Sequence, residues 1–149
     1  MKPNQFTEII ESGYIMSDET NRLFLELSKM EDYSSDYLKL VREISRKYDY
    51  EYRFSCLLAF VENCLWDNLI SEEETNDIEF LKSAFEIISG DFYLLHRDYI
   101  MRIIQLQYHL YKLDKVIDFE ESEEISFLQK IFDLGSDQML EFILFEDKN

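Results

Sequence analysis

The side chains best placed to do chemistry in this sequence are carboxylates, and they recur. The stretch DNLISEEETNDIEFLKSAFEI at 67–87 returns at 114–134 as DKVIDFEESEEISFLQKIFDL. The offset is 47 residues without a gap, and 8 of the 21 positions are identical. Composition alone would give roughly two matches in such a window, so the recurrence points to internal symmetry. An acidic loop between helices first suggests calcium. An EF-hand needs oxygen ligands at loop positions 1, 3, 5 and 12, with glycine at 6. Counted from Asp67, positions 3 and 12 are Leu69 and Ile78; counted from Asp114, they are Val116 and Ile125. Apolar side chains hold the ligand positions, so neither loop is an EF-hand.

The acids separate by where a helix would aim them. Glu73 and Glu74, shared with Glu120 and Glu121, fall at helix starts, where free backbone N–H groups and the positive end of the dipole favour a carboxylate. Asp67 and Asp114 sit in the preceding turns, a place aspartate favours. Turn and helix start account for these shared acids. Glu72, Glu79 and Glu86 project from the opposite face, where nothing in the fold calls for them. Glu123 and Asp133 hold the places of Asn76 and Glu86 in the second copy. These five acids are the candidate partner-binding residues, against the plain reading of a solvated helix face.

Other chemistries lack a scaffold. His96 lies in LLHRDYIM, whose HRD is not followed by the rest of a kinase signature, and His109 lies among apolar neighbours. His96, Arg97 and Asp98 read as helix surface or a local ion pair. Cys56 and Cys64 are the only cysteines and read as small core residues of one helix, suited to a reducing cytosol. Without HExxH, GxSxG or a phosphate loop, no catalytic residue, metal ligand or cofactor is expected, and the chain is read as a non-enzyme. Tyrosines interleave with arginine in RKYDYEYRF (46–54) and DFYLLHRDY (91–99), and packing at the core edge is their expected role.

Elements that would carry these residues follow from composition and periodicity. With 46% apolar residues and 15% aromatics in 149 residues, the chain has ample core material. Only 3 Gly and 1 Pro interrupt it, which favours helices over hairpins. The spacing predicts an all-α fold of seven or eight helices in one compact domain over 1–149, with repeat units at about 50–90 and 92–135. The helices are expected over 4–11, 18–30, 35–48 (capped by Ser34 or Ser35), 50–66, from Ser71 to Gly90, 92–113, from Asp118 to Gly135, and from Ser136. The stripe of the fifth is Ile78, Leu81, Phe85 and Ile88; that of the sixth is Leu95, Tyr99, Ile103, Leu106 and Leu110. Ser71 with Glu74, and Asp118 with Glu121, have capping-box spacing. The opening MKPNQFTEII has no apolar leader core, and no run is long enough to span a membrane, so a cytoplasmic protein is expected.

The two turn-to-helix stretches, Asp67-Asn68-Leu69-Ile70-Ser71-Glu72-Glu73-Glu74 and Asp114-Lys115-Val116-Ile117-Asp118-Phe119-Glu120-Glu121, resemble the tellurite-resistance TerB-like domains. That family leads into a helix with Asp–Gly–apolar–Ile–polar–polar–Glu, more than once in an all-helical domain. Asn68 and Lys115 stand where the family carries glycine. The resemblance covers the last two-thirds of the chain. It implies an all-helical fold and, as one reading, a stress or scaffold module binding a divalent cation through carboxylates.

The net charge of −17, from 32 acids against 15 bases, is the dominant compositional signal. It argues against a surface that grips nucleic acid or anionic lipid, which needs clustered Lys and Arg. It is compatible instead with a basic protein partner, with bound cations, or simply with solubility. Small size, acidity and the absence of a catalytic motif favour a non-enzymatic binding protein of the immunity-protein kind, one that neutralises a basic bacterial toxin domain, for instance a nuclease.

Overall fold

The computed structural model describes residue 6 and residues 18–30, 36–65, 70–112 and 126–147. Among these residues there are seven helices and no strand, so the protein is all-α. They are α1 (Asp18–Ser28), α2 (Tyr37–Ser45), α3 (Tyr50–Cys64), α4 (Glu72–Ala84), α5 (Asp91–Lys112), α6 (126–131) and α7 (Ser136–Asp147). The chain gathers into two compact units, Met1–Ile87 and Ile88–Asn149. The helix expected over 4–11 lies outside the described residues except for Phe6, which is helical. The Ser34/Ser35 cap and the start at Asp118 and Glu121 also lie outside them.

In the first unit α3 is central. Asp49 caps it by accepting from the Tyr52 N–H at 2.8 Å, which satisfies one of the orphan donors of a helix start. Phe54, Cys56, Leu57, Leu58, Phe60, Val61 and Cys64 are all buried, as expected of a helix apolar nearly all round. It packs against α1 and α4, while α2 packs against α1 and α4. Leu23 and Leu27 supply the buried stripe of α1, and Phe6 stacks on Phe24 at 5.8 Å between ring centroids. Ile78, Leu81 and Phe85 bury the inner face of α4.

In the second unit α5 packs on α7. Phe92 meets Phe132 at 5.8 Å, and Ile100, Ile104, Leu128, Ile131, Met139 and Phe142 complete the core. Here one expectation is overturned. Leu95 and Leu106, expected inside, are 51% and 58% exposed, and the buried row of α5 runs through Phe92, Ile100, Ile104 and Gln107. Two apolar stripes lie one residue apart on this helix, and the rule of period 3.6 does not choose between them. Phe92, packed on Phe132, supports the second. The helix is also broken at His96, whose φ of −128° and ψ of 28° are not helical. Tyr99 and Ile103 are half-buried, and the side chain of Leu110 lies outside the described residues.

The glycines also act differently from expectation. Gly90 and Gly135 do not end helices; each starts the next one. The Gly90 carbonyl accepts from Leu94 N at 3.1 Å, and the Gly135 carbonyl from Met139 N at 3.0 Å. The preceding helices close earlier, on acids. Glu86 (φ 56°) and Asp133 (φ 54°) are left-handed. After α4, Ile87 N bonds Lys82 O at 3.0 Å and Glu86 N bonds Ser83 O at 3.2 Å. After α6, Leu134 N bonds Gln129 O at 3.0 Å and Asp133 N bonds Lys130 O at 3.2 Å. Both are Schellman turns, which satisfy carbonyls that the helix end leaves open. Because α4 ends at Ala84, Ile88 falls beyond it and is 62% exposed, rather than closing its inner stripe.

Candidate functional site

Of the five acids singled out above, two line one face of α4. The start of α4 is fixed by a complete capping box: Glu74 N donates to Ser71 Oγ at 3.0 Å, and Ser71 N donates to Glu74 Oε1 at 3.1 Å. This orients the first turn, so that Glu72, Asn76, Glu79 and Ser83 follow one another along the face opposite Ile78 and Leu81. Glu72, Glu73 and Asn76 are exposed, and Glu79 is half-exposed and pairs with Lys82 at 3.3 Å. Lys82 is itself buried, its stem laid along the helix.

Glu86 is placed otherwise. The expectation that nothing in the fold calls for it fails, because it forms the left-handed corner after α4 and carries an ion pair. Arg46 Nε donates to Glu86 Oε1 at 2.5 Å, and Arg42 Nε lies 3.9 Å from the same oxygen. The Arg46 guanidinium, chiefly through this hydrogen bond, holds the Glu86 carboxyl below its ordinary range. Asp133 is half-buried at the corresponding corner of the second unit. Glu123, like Asp67, Asp114, Glu120 and Glu121, lies outside the described residues. The structure therefore brings Glu72 and Glu79 onto one face and puts Glu86 at the end of the same helix.

Around that helix end stands a group that sequence reasoning missed. Arg42 Nη2 donates to Ser83 O at 3.3 Å and to Ser83 Oγ at 3.2 Å. Arg53 Nε donates to Phe85 O at 3.0 Å, and its Nη1 to Tyr48 O at 2.9 Å. Ser45 Oγ donates to Ala84 O at 3.1 Å. Three guanidiniums thus converge on the negative end of the α4 dipole. The usable signal was the four-residue step from Arg42 of α2 to Arg46, which caps that helix in helical conformation, so that both stand on one face. RKYDYEYRF was read for its rings instead. Those rings do pack: Tyr48 stacks on Tyr52 at 4.8 Å, and Tyr50 meets Phe54 edge-on at 5.7 Å.

Other bases are held in the same manner. Lys47 Nζ donates to Glu26 Oε1 at 2.8 Å, and Tyr48 Oη donates to Glu26 Oε2 at 2.9 Å. The Lys47 hydrogen bond is the main reason the Glu26 carboxyl titrates below its usual range. Burial, aided by Glu26, pushes the Tyr48 phenol up to about 12. In the second unit Arg97 pairs with Glu141 and lies over the rings of Tyr93 and Phe142, at 5.6 and 6.0 Å. His96 and Asp98 are not the partners of Arg97 in an ion pair. Burial pushes the Cys56 thiol up to about 12, which removes it as a nucleophile at neutral pH. Among the described residues, no three His, Cys, Asp or Glu side chains gather as a metal site. No described helix is long and apolar enough to cross a membrane.

No protein-family model, curated protein or solved structure matches this chain.

Proposed function

We propose that the protein is a non-enzymatic acidic inhibitor that binds a basic protein partner, in the manner of an immunity protein covering a bacterial toxin domain, and that it acts in the cytoplasm. One observation carries this reading. The outer face of α4 offers exposed carboxylates from a rigidly capped helix, while the bases described above are turned toward the protein's own carboxylates and carbonyls. A cationic partner approaching α4 meets a net acidic field, in which Lys82 offsets only Glu79, and this field raises encounter rates and orients the docking. Glu72 and Glu79 lead this surface. The 47-residue recurrence is read as an internal pseudo-repeat, supported by the like turns at Glu86 and Asp133.

The test is stopped-flow association with the product of the adjacent gene as the partner. The expected result is an association rate that falls by roughly tenfold or more between low and high salt, and that Glu72→Lys with Glu79→Lys lowers further. A salt-independent rate would sink the electrostatic part, and no binding would sink the partner assignment.

A further inference from the structure

The break in α5 has no cause in its own sequence. At His96 the backbone leaves the helical region, with φ of −128° and ψ of 28°, while the rest of the element is helical. Sharp departures of this kind arise at proline, at glycine and serine, at π-bulges, or where a group from outside intrudes on the helix. From Phe92 to Lys112 there is no proline, glycine, serine or threonine, and no described residue is π-helical. Local preference is for an unbroken helix, so the break has to be set by what α5 packs against.

α7 is that neighbour, and one of its residues reaches both sides of the break. Tyr93 Oη, before it, donates to Glu141 Oε2 at 2.9 Å, and Arg97 Nη2, after it, donates to Glu141 Oε1. The two oxygens of a single carboxylate are divided between the two segments. Phe142 adds core contacts to the same residues: its ring stacks on Tyr93 at 5.9 Å and lies under the Arg97 guanidinium at 6.0 Å. Its carbonyl accepts from Gln105 Nε2 at 3.2 Å. Phe142 is fully buried, whereas Glu141 and Arg97 are each 41% exposed, so the carboxylate can be removed without opening the core. The two segments are also in register already. Phe92, Ile100 and Ile104 are all buried and stand at multiples of four, so an unbroken helix would keep them on the same inner side.

We propose that Glu141 is a positioning residue that holds α5 open at His96, and that α5 closes into one continuous helix when this carboxylate is withdrawn. The clamp acts through Tyr93 and Arg97 and not on His96 itself. α5 is then a two-state element whose balance is set by an ion pair at the surface.

The experiment is NMR on the full chain, read at the Cα carbon shift of His96, which follows φ and ψ. In the wild type this shift is expected to fall short of the helical range while those of 93–95 and 97–99 lie within it. Glu141→Ala is expected to move His96 into the helical range with its neighbours unchanged and the circular dichroism no less helical. Tyr93→Phe keeps the ring on Phe142 and removes one arm of the clamp; it is expected to move His96 part of the way, and it decides the matter should Glu141→Ala not fold. Asp137→Ala, which removes an exposed acid of the same helix, is expected to leave His96 where it is. A wild type with a helical His96 overturns the proposal, and so does a His96 shift that Glu141→Ala does not move, which assigns the break to Phe92 and Phe142. Loss of helical shifts at 92–95 in place of a gain at 96 overturns it as well, because Glu141 then only pins down the helix end. An equal movement in Asp137→Ala has the same force, since the effect would then be one of charge and not of the clamp.

Discussion

Arg46 and Glu86 stand 40 positions apart in sequence and form an ion pair at 2.5 Å, across the end of a helix whose final turn is left-handed. The pair is exposed enough that solvent screens it, so its main effect is to fix the direction of the corner. The backbone beneath it is strained, because a side chain with φ of 56° crowds its own carbonyl.

The strain and the ion pair can be separated. Glu86→Ala and Glu86→Gly both delete the carboxylate, but only alanine keeps a Cβ in the left-handed turn. The glycine variant is expected to be more stable than the alanine variant by about 1 kcal/mol, measured by urea denaturation. Equal stabilities would show that the corner relaxes out of the left-handed region.

The register of α5 predicts an asymmetry between near neighbours. Ile104→Ala removes a fully buried side chain and should cost about 2–4 kcal/mol. Leu106→Gln, two residues on, should shift stability by no more than about 0.5 kcal/mol. The reverse order would restore the stripe that periodicity first suggested.

Removing the capping hydroxyl in Ser71→Ala should cost about 1 kcal/mol, because the box loses the bond that anchors its reciprocal partner. Hydrogen exchange at the Glu74 amide, which the Ser71 hydroxyl accepts from, should speed up well before that of the α3 core.

Acid stability should depend on Glu26. Its folded-state carboxyl titrates below the ordinary value, so its contribution is present above the unfolded pKa and is lost as pH falls through the folded one. Tyr48→Phe removes one of its two hydrogen bonds and should cost about 1 kcal/mol at neutral pH. An NMR titration should then find the Glu26 carboxyl moved up toward its normal range. No movement would show that Lys47 alone sets it.

Glu62 has the opposite sign. Burial raises its carboxyl above the ordinary range, so the charged form costs stability above the folded pKa, and that cost disappears as pH falls through the unfolded one. Glu62→Gln should therefore be slightly more stable than the wild type at pH 7, by less than about 1 kcal/mol, with the difference vanishing in acid.

Much of this was legible in the sequence because local rules carried it. Ser71 with Glu74 announced a helix start, and the Leu/Phe/Cys run of α3 announced a core helix; both arise within a few residues. The α5 register was not legible, since it depends on where Phe132 lies. Nor was the end of α4. Glycine is the usual residue for a left-handed corner, so Gly90 drew the boundary, while Glu86 took the corner with three arginines supplied from α2, its C-terminal cap and α3. The role of Glu86 depended on tertiary contacts, and Glu72 and Glu79 on local helix geometry.

The two thiols have a practical consequence. Cys56 and Cys64 are the only sulfhydryls in the chain, both are buried, and that of Cys56 is held protonated well above neutral pH. Toward a maleimide at neutral pH the folded protein should behave as though it had no cysteine. A single cysteine introduced on the surface at Asn76 would then be the sole handle for a fluorophore, without first stripping the native sulfur from the core.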